Sequence, residues 1–400
     1  MKRIYLDHAA TTYVSDEVLT EMLPVFSTTF GNSSSLHAYG RDALSFLDKA
    51  RDKVANAINA DSNEIYFTSG GSEANNWALI GLALANKSKG NHIITSQIEH
   101  HSVLDTCKKL ETMGFRVTYL PVDSQGFVSI PELLHVINEK TILVSVMTAN
   151  NEIGTIQNTQ TIAKIAHERN VLFHTDAVQA IGAVPIDVKQ MDIDALSLSG
   201  HKFYGPKGAG ALYVKKGVRI DTLISGGNQE RGKRGGTVNV PAVVGLGKAI
   251  ESACRDCTIN NKKLKSLRDY FVNRVKTEIE DVSVNGHPQQ RLPGMASISF
   301  NYIEGESIML LLDLEGIAVS TGSACSSGSL EQSHVLTAIG LPPEVAQGTI
   351  RFSIGKATTK EEMDYTVEVL KKVVKKLRDM SPINKKTKFK GGKTSCTRVK

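Results

Sequence analysis

Between residues 60 and 215, short β-branched and apolar runs alternate with longer segments of helical spacing, and this alternation constrains the fold more than any other feature. Strands that alternate with helices form a mostly parallel sheet covered by helices on both faces. Such a sheet binds its ligands at the carboxyl ends of its strands. The predicted strands are residues 64–68, 92–95, 116–120, 142–147, 171–174, 195–199 and 211–214.

After residue 250 the pattern changes to a long polar helix (261–279), two isolated strands (296–300 and 349–354) and a final amphipathic helix (360–378). This pattern is typical of a smaller α+β domain. We therefore predict a large α/β domain over 16–250, a small α+β domain formed by 1–15 and 251–384, and a separate tail over 385–400.

The net charge of +6 is located in that tail. Residues 385–400 contain seven Lys or Arg and no acid, so the rest of the chain is close to neutral. A folded basic face for nucleic acid is therefore not expected, and direct RNA contact is left only as an alternative for the tail. A segment so poor in apolar residues is predicted to be disordered.

Two further features bear on the compartment of the protein. Five cysteines are too few, and odd in number, for a secreted disulfide framework. The longest apolar stretch, residues 77–85, is far shorter than the roughly 20 residues that cross a bilayer, and the first residues lack an apolar signal core. We therefore expect a cytoplasmic protein without a membrane partner.

The first chemical motif is the run Phe67-Thr68-Ser69-Gly70-Gly71-Ser72-Glu73, which ends a predicted strand and opens a predicted helix. Small residues allow backbone N–H groups to approach an anion, and the start of a helix carries partial positive charge. The run is therefore able to bind phosphate. Simple helix capping is the alternative.

Two charged residues follow later strands of the same predicted sheet. Asp176 stands at the end of one strand, where a buried carboxylate requires a cation or several donors, although helix capping explains it equally well. Lys202 follows the next strand in Ser199-Gly200-His201-Lys202, where an amine can form a Schiff base with an aldehyde cofactor. An ordinary surface lysine is the alternative, but flanking glycines and the shared sheet edge disfavour it.

Taken together and in this order, these motifs resemble the class V branch of the pyridoxal-phosphate enzymes with the aspartate-aminotransferase fold, fold type I. More narrowly, the chain resembles cysteine desulfurases of the NifS/IscS type. The resemblance extends from Tyr5 to about Asp379. It is carried by Tyr5-Leu6-Asp7-His8-Ala9-Ala10-Thr11-Thr12, Ile98-Glu99-His100-His101, Asn150-Asn151-Glu152-Ile153-Gly154, Asp176-Ala177-Val178-Gln179, Ser199-Gly200-His201-Lys202 and Gly322-Ser323-Ala324-Cys325.

The resemblance implies pyridoxal 5'-phosphate as cofactor and assigns residues to it. Lys202 would carry the cofactor and move a proton at the substrate α-carbon, while Asp176 would keep the pyridine nitrogen protonated. Gln179 would bond the phenolic oxygen, and His100 would stack on the ring and act as a catalytic residue. The phosphate would be held by Gly71, Ser72, Ser199 and His201.

The resemblance also implies substrate and subunit contacts, with no metal. Arg351 would bind the substrate carboxylate, and Asn151 would assist there and at the cofactor. Thr237, in Arg234-Gly235-Gly236-Thr237, would reach the phosphate of a neighbouring subunit, which implies a homodimer with shared active sites.

Cys325 is the residue that would distinguish a sulfur-transfer enzyme from other enzymes that use this cofactor. Its surroundings, residues 320–329, are too poor in apolar side chains for a buried structural cysteine. Its thiolate would take the sulfur of L-cysteine, leaving L-alanine and a persulfide that passes to iron–sulfur cluster assembly or tRNA thiolation. A class V aminotransferase, a selenocysteine lyase and a non-catalytic sulfur-carrier or RNA-associated protein are the alternatives.

Overall fold

The structure is a computed structural model that describes residues 3–321 and 332–381. The chain begins with strand β1 (Ile4–Tyr5) and continues into helices α1 (Asp16–Ser27) and α2 (Ala38–Ala57). His37 caps α2, because its side chain accepts a hydrogen bond from the backbone N–H of Gly40.

A seven-stranded sheet follows, and its strands coincide with the seven predicted ones to within two residues at each end. They are β2 (Ile65–Thr68), β3 (His92–Ser96), β4 (Arg116–Leu120), β5 (Thr141–Ser145), β6 (Leu172–Asp176), β7 (Ala195–Ser199) and β8 (Gly210–Val214). Their order in the sheet is β2-β8-β7-β6-β5-β3-β4. β8 runs opposite to the other six strands of this sheet, so the predicted mostly parallel mixed sheet is confirmed.

Helices cover both faces of this sheet: α3 (Gly71–Ala85), α4 (His101–Thr112), α5 (Ile130–Val136), α6 (Thr159–His167) and α7 (Val240–Arg255). Alternate residues of one strand pack into two different apolar cores, one on each face of the sheet. Ile93 packs with α3 and α4, whereas Ile94 packs with α1, α2, α6 and α7. This period of two explains why the strands read as continuous apolar runs.

The rest of the chain forms a second, four-stranded antiparallel sheet of order β12-β13-β10-β9 and the short parallel pair of β1 with β11. The strands are β9 (Val282–Asn285), β10 (Met295–Phe300), β11 (Ile317–Ala318), β12 (Ser320–Thr321) and β13 (Thr349–Ser353). The helices are α8 (Cys257–Glu278), α9 (Gly305–Leu314), α10 (His334–Ala338), α11 (Pro343–Ala346) and α12 (Lys360–Met380). The predicted helices and strands of this part are found, but the domain boundaries stay a prediction.

The N-terminal segment 6–12 connects the two sheets. At one end, the backbone N–H of Ser353 in β13 donates to the carbonyl of Leu6 at 2.7 Å. At the other end, the backbone N–H of Thr12 donates to the carbonyl of His201, just after β7, at 2.8 Å. Among the described residues, no helix is both long and apolar enough to span a bilayer.

Candidate active site

A pocket lies at the carboxyl edge of the large sheet and extends to β13 of the small one. Ten of the twelve residues that the sequence predicts for the site line it: Gly71, Ser72, His100, Asn151, Asp176, Gln179, Ser199, His201, Lys202 and Arg351. The two others are Thr237, which is exposed and does not line this pocket, and Cys325, which lies outside the described residues.

Asp176 ends strand β6 and is only 6% exposed. Its Oδ2 accepts a hydrogen bond from Asn75 Nδ2 at 2.7 Å, and its Oδ1 accepts one from the backbone N–H of Val178 at 2.9 Å. These two donors fix the carboxylate in the pocket without neutralising it. The site is therefore suited to a cationic group such as a protonated ring nitrogen.

Lys202 ends the 3-10 turn Gly200–Lys202 that follows β7. Its Nζ donates to the backbone carbonyls of Ala9 at 2.5 Å and Ala10 at 2.9 Å. Gln179 Nε2 donates to the carbonyl of Ala9 as well, at 2.8 Å. The N-terminal segment thus provides the acceptors that orient the lysine amine.

The phosphate end is built by the start of α3 and the turn after β7. A Cβ on Gly71 would lie 2.7 Å from Val178 Cγ2, so glycine is needed for this close approach. Burial, with the charges of Lys202 and Lys207, lowers the pKa of His201 to about 4, and its Nδ1 lies 3.1 Å from Thr11 Oγ1. A neutral His201 and the orphan N–H groups of α3 fit an anion as hydrogen-bond donors.

His100 caps α4, because its Nδ1 accepts a hydrogen bond from the backbone N–H of Ser102 at 3.1 Å. Burial lowers its pKa, the charge of Asp176 opposes this effect, and the charge of Lys202 adds to it. Burial thus favours the neutral imidazole, and the acceptor role of Nδ1 leaves the proton on Nε2. Asn75 Nδ2 donates to Ser102 Oγ at 2.8 Å, which links the His100 cap to the amide that holds Asp176.

Arg351 stands on β13 at the opposite side of the pocket and is 2% exposed. One terminal nitrogen donates to the carbonyl of Asn151 at 2.9 Å, and the other donates to Asp7 Oδ1 at 2.9 Å. Its Nε is buried and has no hydrogen-bond partner among residues 3–321 and 332–381. Arg351 itself lines the pocket, and a guanidinium in a pocket wall can bind a carboxylate ligand.

Sequence reasoning missed several supporting groups, namely Asp7, Asn75, Ser102 and the carbonyls of Ala9 and Ala10. Asn75 carried a usable signal: it stands three residues after Ser72 on α3, so the two side chains share one helix face. Asp7 belongs to the N-terminal motif, but nothing local showed that it would meet Arg351.

The pocket fits pyridoxal phosphate by the chemistry of its donors. It combines an amine at Lys202, a carboxylate at Asp176, and a helix start with small residues for an anion, all on one edge of the sheet. Among its buried polar atoms, Asn75 Oδ1 and Arg351 Nε lack partners in the described chain. Unsatisfied groups of this kind indicate a site built for a ligand.

The family model described as "Aminotransferase class-V" matches residues 4–366. The chain belongs to this family. A curated relative from Clostridium botulinum, "Cysteine desulfurase IscS", is 55% identical over 96% of this chain and 97% of the relative. A solved "NIFS-LIKE PROTEIN" superposes with a TM-score of 0.89 at 40% identity, covering 94% of this chain and 100% of that one.

A second solved structure, "SspA in complex with cysteine", has a TM-score of 0.78 at 37% identity and covers 90% of this chain and 100% of that one. The family member described here is a pyridoxal-phosphate-dependent enzyme of the cysteine desulfurase type. The predicted resemblance, fold class, cofactor and enzyme class are confirmed. The roles assigned to single residues stay predictions.

Proposed function

We propose that the enzyme removes sulfur from L-cysteine, releases L-alanine and carries the sulfur as a persulfide on Cys325. One observation supports an α-amino acid as substrate: Lys202, which carries an amine, and Arg351, which carries a guanidinium, line the same cavity. An α-amino acid presents an amine and a carboxylate on one carbon, so it can use both groups at once.

Pyridoxal phosphate, when bound, supplies an aldehyde that reacts with amines and a ring that withdraws electrons from the substrate α-carbon. Lys202 would hold it, with Asp176 at the ring nitrogen, Gln179 at the phenolic oxygen, and Gly71, Ser72, Ser199 and His201 at the phosphate. Asn151 would assist at both cofactor and substrate.

Lys202 would carry the proton at the substrate α-carbon, and His100 would add a hydrogen bond. Lys202, released from its carbonyl partners, would take and return a proton at the substrate α-carbon. His100, whose Nδ1 accepts from the backbone N–H of Ser102, presents an Nε2–H that can donate a hydrogen bond to a bound group. Burial lowers the pKa of His100 and so favours the uncharged imidazole.

In the sulfur transfer, the thiolate of Cys325 attacks the substrate sulfur. A sulfur–sulfur bond forms, the bond from Cβ to sulfur breaks, and its electron pair stays on the substrate carbon. That carbon takes up a proton and becomes the methyl group of alanine. An acceptor protein then takes the sulfur from the persulfide and delivers it to iron–sulfur cluster assembly or tRNA thiolation. This delivery would take place in the cytoplasm.

Mass spectrometry after brief exposure to L-cysteine tests this route. We expect one added sulfur on the peptide that contains Cys325, together with alanine and no keto acid. Cys325→Ser should retain the cofactor absorbance and lose the added sulfur, whereas Lys202→Ala should lose the cofactor that borohydride fixes to the protein. Keto acid without persulfide would favour an aminotransferase, and faster turnover of selenocysteine would favour a lyase.

We propose further that the enzyme is a homodimer, because α1, the loop after it and the start of α2 expose several large apolar side chains. They are Leu19, Leu23, Phe26, Phe30, Leu36 and Tyr39. Exposed apolar surface on this scale is typical of a subunit interface. Thr237, exposed and away from the pocket of its own chain, would then reach the partner's cofactor.

Light scattering of the double variant Leu23→Glu and Phe26→Glu tests the dimer. We expect a monomer with weaker cofactor retention, because Thr237 would no longer reach a neighbouring phosphate. A variant that remains dimeric with normal cofactor content would place the interface elsewhere.

A further inference from the structure

Glu73 fixes the turn between β2 and α3, and part of this turn lines the active-site pocket. It stands in the first turn of α3, directly after Ser72. Its Oε2 accepts a hydrogen bond from the backbone N–H of Ser69 at 2.8 Å. One carboxylate thus connects the end of β2 with the start of α3, on either side of Gly71, and Gly71 and Ser72 both line the pocket.

The charge of Glu73 is unfavourable for anion binding at this turn. Gly71 and Ser72 line the pocket at the position proposed for the cofactor phosphate, where the start of α3 offers partial positive charge. The side chain of Glu73 is only 11% exposed, so water screens its charge poorly. An unpaired carboxylate next to Ser72 would therefore oppose a bound phosphate by like-charge repulsion.

Arg234 removes this conflict, because its guanidinium forms a bidentate ion pair with Glu73. Its Nε donates to Glu73 Oε1 at 2.8 Å, and one terminal nitrogen donates to Glu73 Oε2 at 3.1 Å. Burial alone would raise the pKa of Glu73, but the hydrogen bonds from Arg234 and Ser69 outweigh it, so the pKa is lowered. The carboxylate thus stays ionised, is neutralised by Arg234, and still accepts from Ser69.

The loop that carries Arg234 is itself fixed by its backbone. The N–H of Gly235 donates to the carbonyl of Ile224 at 2.8 Å, and the carbonyl of Gly235 accepts from the other terminal nitrogen of Arg234 at 3.2 Å. A Cβ on Gly235 would lie 2.6 Å from Gly226 Cα, so glycine is needed for this close approach. These contacts hold the guanidinium opposite Glu73, and the ion pair is preorganised.

We propose that Arg234 is a positioning residue for the cofactor phosphate. It is not among the described residues that line the pocket, so it acts through Glu73. It neutralises the carboxylate and leaves it in place to hold the turn, so that Gly71 and Ser72 can bind a doubly charged anion. The pair thereby favours pyridoxal 5'-phosphate over pyridoxal, which has no phosphate. This inference rests on the proposed function, because it requires Gly71 and Ser72 to hold the phosphate.

The test compares the binding of pyridoxal 5'-phosphate with that of pyridoxal in the full-length enzyme. Hydroxylamine removes the resident cofactor, and the return of the cofactor absorbance is then titrated with each compound. The variants are Arg234→Gln, Glu73→Gln and the double variant, with the wild type treated in the same way. Glu73→Gln loses the charge but keeps an oxygen that can accept from Ser69.

We expect Arg234→Gln to bind pyridoxal 5'-phosphate about tenfold more weakly than the wild type, because it leaves an unpaired carboxylate beside the phosphate. Its affinity for pyridoxal should stay within about twofold, because this compound has no phosphate to be repelled. The double variant should recover to within about threefold of the wild type, because the repelling charge is gone. A merely structural role for Arg234 would not produce such a recovery.

Two further variants separate this effect from a loss of stability. Arg274 and Glu278 form a similar bidentate pair on α8, with hydrogen bonds of 2.6 Å and 3.1 Å. Arg274→Gln should leave both affinities unchanged, even where urea unfolding shows a loss of stability. Arg234→Lys is the milder change at the site itself: it keeps the positive charge but not the bidentate geometry, and it should bind pyridoxal 5'-phosphate about threefold more weakly.

Three outcomes would overturn the inference. If Arg234→Gln and Arg234→Lys bind pyridoxal 5'-phosphate as tightly as the wild type, the ion pair is not needed for the phosphate. If Arg234→Gln loses affinity for both compounds equally, or the double variant binds no better than Arg234→Gln, Arg234 only supports the fold. If the wild type does not distinguish the two compounds, the phosphate site of the proposed function fails together with this inference, whereas the other outcomes leave that site intact.

Discussion

Individual residues without reactive groups determine how the reactive ones are presented. Asn75 donates both to Asp176 and to Ser102, so one amide orders both the Asp176 carboxylate and the cap of His100. Asp7 has a comparable position at the substrate end, where it is the carboxylate that pairs with Arg351. A guanidinium that is almost fully buried needs such a partner to offset its lost hydration.

Replacing Asp7 with Ala should therefore weaken both binding and stability. Breaking a buried ion pair costs about 3–5 kcal/mol, and since the Asp7 side chain retains 19% exposure, we expect about 2 kcal/mol. Urea unfolding measures this loss, and steady-state kinetics should show a KM for L-cysteine raised about tenfold. Asp7→Asn keeps an acceptor oxygen, so its unfolding free energy and its KM should lie between those of the wild type and those of Asp7→Ala. An unchanged KM would mean that Asp7 does not orient Arg351.

At the scale of elements, polar side chains fix how helices meet the sheet. His167, the last residue of α6, lies with Nδ1 2.7 Å from Asp192 Oδ2 and with Nε2 2.7 Å from Asp194 Oδ2. Asp194 Oδ2 also accepts from the backbone N–H of Phe173 on β6, at 2.8 Å. The imidazole thus joins the end of α6 to Asp194, the residue before β7. Asp194 in turn joins this junction to β6.

The strength of this junction should depend on pH. The hydrogen bond to Asp194 is the main reason that the pKa of His167 is raised, so the folded state binds the proton more tightly than the unfolded one. The stabilisation is complete below pH 6.5, the ordinary pKa of histidine, and is lost as the pH rises through the higher folded value.

Urea unfolding of the wild type and of His167→Gln at pH 6 and pH 9 measures this effect. We expect the difference in unfolding free energy to be larger at pH 6 than at pH 9. A difference that does not vary with pH would show that the imidazole acts there without its charge.

At the scale of the whole molecule, the two sheets meet around the N-terminal segment 6–12. This segment is hydrogen-bonded to β13 through Ser353 and supplies the carbonyls that hold Lys202. Gly355, two residues after β13, lies so close to this segment that an added Cβ would be 2.0 Å from His8 Nε2. The geometry of the active site therefore depends on tight packing at a point outside the pocket.

Replacing Gly355 with Ala should displace His8 and, with it, the carbonyls of Ala9 and Ala10. Overpacking of this kind costs about 1–3 kcal/mol, and we expect a loss of that size in unfolding free energy together with slower turnover. Ala357→Ser, at an exposed position two residues away, is the control and should change neither. Recovery in the double variant with His8→Ala would confirm the clash as the cause, and a fully active Gly355→Ala would contradict it.

The sequence by itself determined the strand order along the chain, the α/β class and the position of Lys202 and Asp176 at one edge of the sheet, because local spacing and ordered motifs encode these features. Only the tertiary structure decided that Asp7 pairs with Arg351, that the carbonyl of Ala9 meets Lys202, and that Ser333 bonds Glu152. These contacts join residues 344, 193 and 181 positions apart. No local pattern specifies such contacts, since they exist only once the packing of both sheets has brought the distant segments together.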